Sequence, residues 1–133
     1  MSERFELELS QLNLLVERLP KSGVIILQGD LASGKTTLTK AIVKSHGMDE
    51  NVTSPTFSVM QNYRDIYHYD IYQEGFEGLK KNGLFENLFE DGLHIVEWGD
   101  DELIKMLKKY SIPTCMIKIT NATNKRIYEV SFA

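Results

Sequence analysis

One cysteine, three prolines and four arginines (Arg4, Arg18, Arg64 and Arg126) stand in this chain of 133 residues, and each scarcity excludes something. A lone Cys115 permits no internal disulfide, which suits a reducing compartment. Its apolar surroundings, Ile112 to Ile119, mark it as a small buried hydrophobe. Basic charge is also short. With 15 Lys and Arg against 19 Asp and Glu the net charge is −4, so no basic field exists to hold a nucleic-acid backbone directly. Lys80-Lys81 and Lys108-Lys109 read as solvated surface, the second pair at a helix end. No apolar run approaches membrane-spanning length, and Met-Ser-Glu-Arg-Phe-Glu at the start lacks a signal peptide's apolar core. These absences predict a cytoplasmic protein that does not engage a membrane. With no linker, repeat or low-complexity tract, residues 1–133 read as one domain.

What is present is sharper. Gly29-Asp30-Leu31-Ala32-Ser33-Gly34-Lys35-Thr36 spells G-x-x-x-x-G-K-[ST], the phosphate-binding P-loop. The apolar run Val24–Leu27 ahead of it predicts a buried strand, and Leu38, Ala41 and Ile42 behind it repeat at helical spacing. A strand feeding a glycine-rich turn into a helix aims several backbone N–H groups, and the positive end of the helix dipole, at one point. Lys35 is positioned to reach the β- and γ-phosphates, and the Thr36 hydroxyl to ligate Mg²⁺.

Further elements follow from pattern. Arg4 to Leu9 alternates as a half-exposed strand with Phe5, Leu7 and Leu9 on one side. Ser10 is a candidate cap for a helix with Leu12, Leu15, Val16 and Leu19 as its stripe, and Gly47 closes the helix after the P-loop. Residues 51–56 read as a loop, 57–64 and 66–69 as strands joined by a turn at Arg64-Asp65, and 74–90 as short helices broken by glycines. Leu93 to Glu97 is a strand, and Asp100-Asp101-Glu102 opens a helix ending at Lys108-Lys109, the charge order that the macrodipole favours. Two strands near 113–119 and 126–131 complete the pattern. The alternation predicts a single-domain α/β P-loop nucleotide-binding fold, its mostly parallel but mixed sheet flanked by helices.

Phosphate chemistry around Mg²⁺ needs hard oxygen ligands and a group to orient water. Asp70 closes the strand from Ile66, and Glu97 closes the one from Leu93, with Trp98 behind it. Carboxyl ends of strands are where α/β sheets bind ligands. Which acid serves Mg²⁺ and which the water is left open by the residues themselves. In Ser54-Pro55-Thr56 the proline stiffens the loop and can present the Thr56 hydroxyl as switch loops do, although such a tripeptide is more often only a turn. His68 on its strand reads as a structural histidine.

Taken together, residues 29–37, Ser54-Pro55-Thr56-Phe57, His68-Tyr69-Asp70-Ile71-Tyr72 and Val96-Glu97-Trp98 resemble, in order and spacing, the TsaE (YjeE) family over essentially the whole chain. That is the family of bacterial P-loop ATPases required for threonylcarbamoyladenosine formation at position 37 of tRNA. The resemblance implies that Leu31, Ala32, Ser33, Gly34, Lys35, Thr36 and Thr37 hold the ATP phosphates. It further implies that Thr36 and Glu97 serve Mg²⁺, Thr56 acts as a switch, Asp70 assists hydrolysis, and Trp98 lies beside the site. The implied partners are the protein subunits of the threonylcarbamoyl-transferring complex, with tRNA met only through them. Ala32-Ser33 replaces the family's Gly-Ala, and Gln73 stands where the family often carries arginine. Lys125-Arg126 loosely matches a basic position of the family, which implies that it faces the nucleotide or a partner.

Three rivals share the P-loop. A small-molecule kinase normally adds an arginine-rich lid, and after Thr37 only Arg64 and Arg126 remain. A GTPase usually carries Asn-Lys-x-Asp, whereas Asn124-Lys125-Arg126-Ile127 lacks the aspartate. An inactive P-loop is disfavoured by the presence of Lys35, Thr36 and both strand-end acids.

Overall fold

The computed structural model describes residues 2–30, 34–47, 60–72 and 75–132. The predicted loop at 51–56, the start of the strand predicted from 57, and Gln73 lie outside them. Among the described residues seven strands form one sheet: β1 (Ser2–Leu7), β2 (Gly23–Gln28), β3 (Met60–Tyr63), β4 (Ile66–Asp70), β5 (Leu93–Glu97), β6 (Thr114–Ala122) and β7 (Lys125–Phe132). Their spatial order is β1-β7-β6-β2-β5-β4-β3. The central four, β6-β2-β5-β4, are parallel, while β3 on one side and β7 and β1 on the other pair antiparallel.

Burial explains that order. Every residue of β5, and all of Val24–Leu27 in β2, is buried, the pattern of strands covered on both faces. The strand period of two then divides β2 between two cores. Ile25 and Leu27 face a cluster with Leu12, Leu15, Leu38 and Ile42, from α1 (Leu12–Val16) and α2 (Lys35–Ser45). Val24 and Ile26 face Phe76, Leu79, Leu103 and Leu107, from α3 (Gly75–Lys81) and α4 (Asp101–Lys109). Cys115 is buried in the first cluster, and burial pushes its thiol up to about 12.

Two boundaries differ from expectation. The first strand ends at Leu7, and Leu9, predicted on its inner side, is 69% exposed in a 3-10 turn over Leu9–Gln11. Ser10 therefore lies within that turn and does not cap α1. The capping box is at the 3-10 turn that precedes α1, with the Glu8 N–H donating to Gln11 Oε1 at 3.0 Å. The final hairpin is also longer than predicted. The β2–β6 ladder stops at Gln28 opposite Lys118, but β6 runs on to Ala122, paired with Lys125. The extra four residues extend about 13 Å past the end of β2. They rise at its carboxyl end, where the P-loop begins.

Asp100 ties together the helices of the second face. As N-cap of α4 its Oδ1 accepts the Leu103 N–H at 2.9 Å, and its Oδ2 accepts the Phe76 N–H of α3 at 3.1 Å. Gly75 makes room for it: a Cβ there would lie 2.7 Å from Oδ2. Asp100→Ala removes both acceptors and is expected to lower stability by about 1–3 kcal/mol in urea denaturation. Asn at that position should restore part of the loss, since its single carbonyl oxygen can cap only one helix. A loss under about 0.5 kcal/mol would show that the double cap is not stabilising.

Candidate functional site

Three parallel strands deliver the site to one edge. Leu27 of β2 lies opposite Glu97 of β5, which lies opposite Asp70 of β4. The ladder continues one step beyond: the Trp98 N–H donates to Leu27 O at 2.9 Å, and the Ile71 N–H to Glu97 O at 3.2 Å. Both strand-end acids are thereby held level with the turn into α2.

That turn ends at Gly34, the N-cap of α2, with φ +104°. This left-handed backbone is strained for any residue with a Cβ. Gly34 has no side chain to cap the helix, and the positive end of the α2 dipole is aimed at this point. Leu31, Ala32 and Ser33, expected to line the phosphates, lie outside the described residues, as does Thr56. Thr37 is half-buried in the first turn of α2.

Lys35 is folded back onto its own loop. Its ammonium donates to Gly29 O at 2.9 Å and Asp30 O at 2.8 Å, and sits 3.8 Å from the centre of the Trp98 ring. Burial holds its pKa below the usual lysine range, against the pull of Glu97, Asp70 and Asp30. Trp98 adopts φ +68°, a left-handed conformation rarely taken by an aromatic residue. Its N–H is fixed on β2, and its ring contacts both Lys35 and Tyr72, whose ring centre is 4.5 Å away.

Glu97 is the best-anchored acid. It is 2% exposed, and it accepts the Thr36 hydroxyl at 3.2 and 3.3 Å from its two oxygens. His68 Nε2 pairs with its Oε2, and the His68 ring is fully buried, its Nδ1 without a hydrogen-bond partner among the described residues. Asp70 is half-buried and accepts the Tyr72 N–H at 3.1 Å. Burial pushes its carboxyl above the usual range; the Tyr72 N–H opposes this, and the charge of Glu97 adds to it. Two acids on adjacent strands thus acquire different environments: Glu97 is tied to the P-loop threonine, while Asp70 sits at the rim with a raised proton affinity.

The donor set suits a hard divalent cation such as Mg²⁺. A hydroxyl and a carboxylate in contact offer oxygen, the ligand Mg²⁺ prefers, while leaving positions for water and phosphate. Among the described residues no group of three or more His, Cys, Asp or Glu side chains forms a closed metal cage.

Sequence reasoning took His68 as structural only and carried Arg126 only on the family resemblance. His68 had a usable signal, since residues two apart on a strand share a face and His68 precedes Asp70 by two. Arg126 had none in its local pattern. Its guanidinium packs on the backbone of Gly34, where a Cβ would lie 2.7 Å from Cζ.

Residues 6–128 match the family model described as threonylcarbamoyl adenosine biosynthesis protein TsaE. Among similar proteins is the tRNA threonylcarbamoyladenosine biosynthesis protein TsaE of Rickettsia typhi, 33% identical over 123 residues covering 88% of this chain and 83% of that one. The protein of the same name from Treponema pallidum is 32% identical over 118 residues, covering 85% and 86%. A crystal structure of YdiB from Bacillus subtilis superposes with a TM-score of 0.66 at 24% identity, covering 98% of this chain and 86% of that one, a likeness of fold. On a match that runs through nearly all of its length, this chain belongs to the TsaE family.

Proposed function

We propose that this chain binds Mg-ATP at its P-loop, hydrolyses it slowly when alone, and serves as the ATP-driven accessory protein of tRNA threonylcarbamoyladenosine formation. The observation that carries the reading is the Thr36–Glu97–His68 chain: a P-loop hydroxyl held on a buried strand-end carboxylate. An ordinary glycine turn has no need of that arrangement.

In this reading the leading N–H groups of α2 and residues 31–37 hold the phosphates. Lys35 exchanges its two carbonyl partners and the Trp98 face for phosphate oxygens. Bound Mg²⁺ would neutralise phosphate charge. Thr36 and Glu97 are the residues to hold it, with His68 keeping the carboxylate oriented. Asp70, whose proton affinity burial has already raised, orients the attacking water and accepts its proton. Thr56 acts as the switch residue that responds to the γ-phosphate, and Trp98 lies beside the site.

Slow turnover alone fits the disposition of three of the four arginines. Arg4 and Arg18 pair with Glu6 and Glu3 at the surface, and Arg64 sits in the exposed β3–β4 turn. Docking on the protein subunits of the modifying complex in the cytoplasm would supply the trigger, with tRNA reached through those subunits.

Steady-state Mg-ATP hydrolysis tests this directly. Slow turnover by the chain alone should rise when the partner subunits and tRNA are added; fast turnover indifferent to them would point instead to a kinase lacking its acceptor. Lys35→Ala should weaken Mg-ATP binding by about tenfold to a hundredfold with little change in melting temperature, as expected for losing charge-assisted hydrogen bonds. Unchanged binding in that variant would remove the phosphate assignment. Glu97→Gln should raise the Mg²⁺ concentration needed for half-maximal hydrolysis by about tenfold or more, while metal-free ATP binding shifts far less. Equal losses in both would contradict a metal role.

A further inference from the structure

The two oxygens of Glu97 are not equally available. Strands β4 and β5 run parallel with His68 opposite Ile95 and Asp70 opposite Glu97, so these four side chains share one face of the sheet. His68 stands one pair back from the carboxyl edge, fully buried, with its Nε2 on Glu97 Oε2. As a carboxylate Glu97 can only accept, so Nε2 carries the hydrogen of that contact. The other ring nitrogen, Nδ1, is buried without a hydrogen-bond partner among the described residues. Glu97 is thus the one polar group among them to which the ring is tied.

The consequence is a carboxylate held by one end. His68 draws Oε2 inward from behind and leaves Oε1 as the oxygen toward the edge of the sheet. The Thr36 hydroxyl, 3.2 Å from Oε1 and 3.3 Å from Oε2, lies across the mouth between them, where a cation gripped by both oxygens would sit. Thr36 belongs to the P-loop and can turn its oxygen to an ion, whereas His68 has no second partner to turn to. Oε2 therefore stays engaged, and Glu97 offers one oxygen. That count separates cations. Ca²⁺ gathers a large oxygen shell and takes carboxylates through both oxygens as readily as through one. Mg²⁺ is smaller, keeps several waters and needs few protein oxygens.

We propose that His68 is the residue that selects the metal ion. By occupying Oε2 it confines Glu97 to ligation through Oε1, and so makes the nucleotide site prefer Mg²⁺ to Ca²⁺. The inference rests on the Mg-ATP reading above and adds to it the choice of ion. His68 touches neither ion nor nucleotide; it is a positioning residue that acts through Glu97. A histidine serving the core alone would change stability and leave the choice of ion as it was.

The test is calorimetric titration of the full chain with a non-hydrolysable ATP analogue, in saturating Mg²⁺ and separately in saturating Ca²⁺. The parent chain should bind the Mg²⁺ form about tenfold more tightly or better. His68→Leu and His68→Phe keep apolar bulk in the core and remove the donor. Each is expected to cut that preference by about tenfold or more, the scale on which the partners of a metal ligand tune its site. His68→Gln, whose amide N–H can still donate to Oε2, should keep most of it. Two variants without the donor are used so that a failure of one to fold leaves the other to decide. Melting without metal or nucleotide reports stability separately. A parent chain that binds the analogue equally well with either ion overturns the proposal, and that outcome needs no variant. An unchanged Mg²⁺-to-Ca²⁺ ratio in the Leu or Phe variant overturns it too, whatever happens to melting, and would return His68 to a structural role. If the parent binds the analogue with neither ion, the Mg-ATP reading fails first and takes this one with it.

Discussion

A carboxylate with almost no contact with water has to be compensated, and the arrangement around Glu97 is organised by that requirement. Its oxygens are met by the Thr36 hydroxyl and by His68, from a helix and a strand that are distant in the chain. For those contacts to exist, β5 must lie between β2 and β4 in parallel register, with Leu27, Glu97 and Asp70 level. The apolar composition of β2 and β5 secures the position, since strands buried on both faces belong in the middle of the sheet. Core packing and site chemistry are therefore linked through one register. A one-residue slip in β5 would send Glu97 to the other face and leave Thr36 without its carboxylate.

The residue after Glu97 shows where that register is put under load. Trp98 holds a left-handed backbone, a conformation that costs of order 1–3 kcal/mol when sidechain-bearing residues occupy it. Its N–H stays on the β2 ladder while its ring turns toward Lys35. The ring's contacts with Lys35 and Tyr72 act against that strain. Lys35 in turn is drawn away from the helix end onto the carbonyls of Gly29 and Asp30. A phosphate ligand would compete with these contacts, so nucleotide affinity reports the difference between two sets of interactions for the same ammonium. Trp98 is placed to register which set is made.

The two acids illustrate how position within one sheet edge separates their chemistry. Glu97 is enclosed and tied to partners, which suits holding a cation. Asp70 is at the rim, with desolvation raising its proton affinity and the Tyr72 N–H opposing that rise. Environments that push two neighbouring carboxylates apart are how one site obtains both a ligand and a base. Across the sheet, the overhanging hairpin adds a guanidinium at Gly34, so the P-loop is approached by carboxylates from one side of β2 in the strand order and by a cation from the other.

Much of this was legible in the order of residues. The P-loop, its buried strand and its helix follow from local spacing, as do both strand-end acids and the capped, charge-ordered helix that Asp100 opens. These features are set by interactions within a few residues: hydrophobic period, turn chemistry and capping. The entry to α1 was not legible, because Leu9 and Ser10 fit a strand end and a cap equally well until β1 is seen to stop at Leu7. The partner of His68, the left-handed Trp98 and the length of the final hairpin were likewise decided elsewhere. Only the tertiary structure brings Thr36 to Glu97, 61 residues apart, and Arg126 to Gly34. The physical reason is that strand order and hairpin overhang depend on which apolar faces can be buried together across the whole sheet, and no local pattern carries that information.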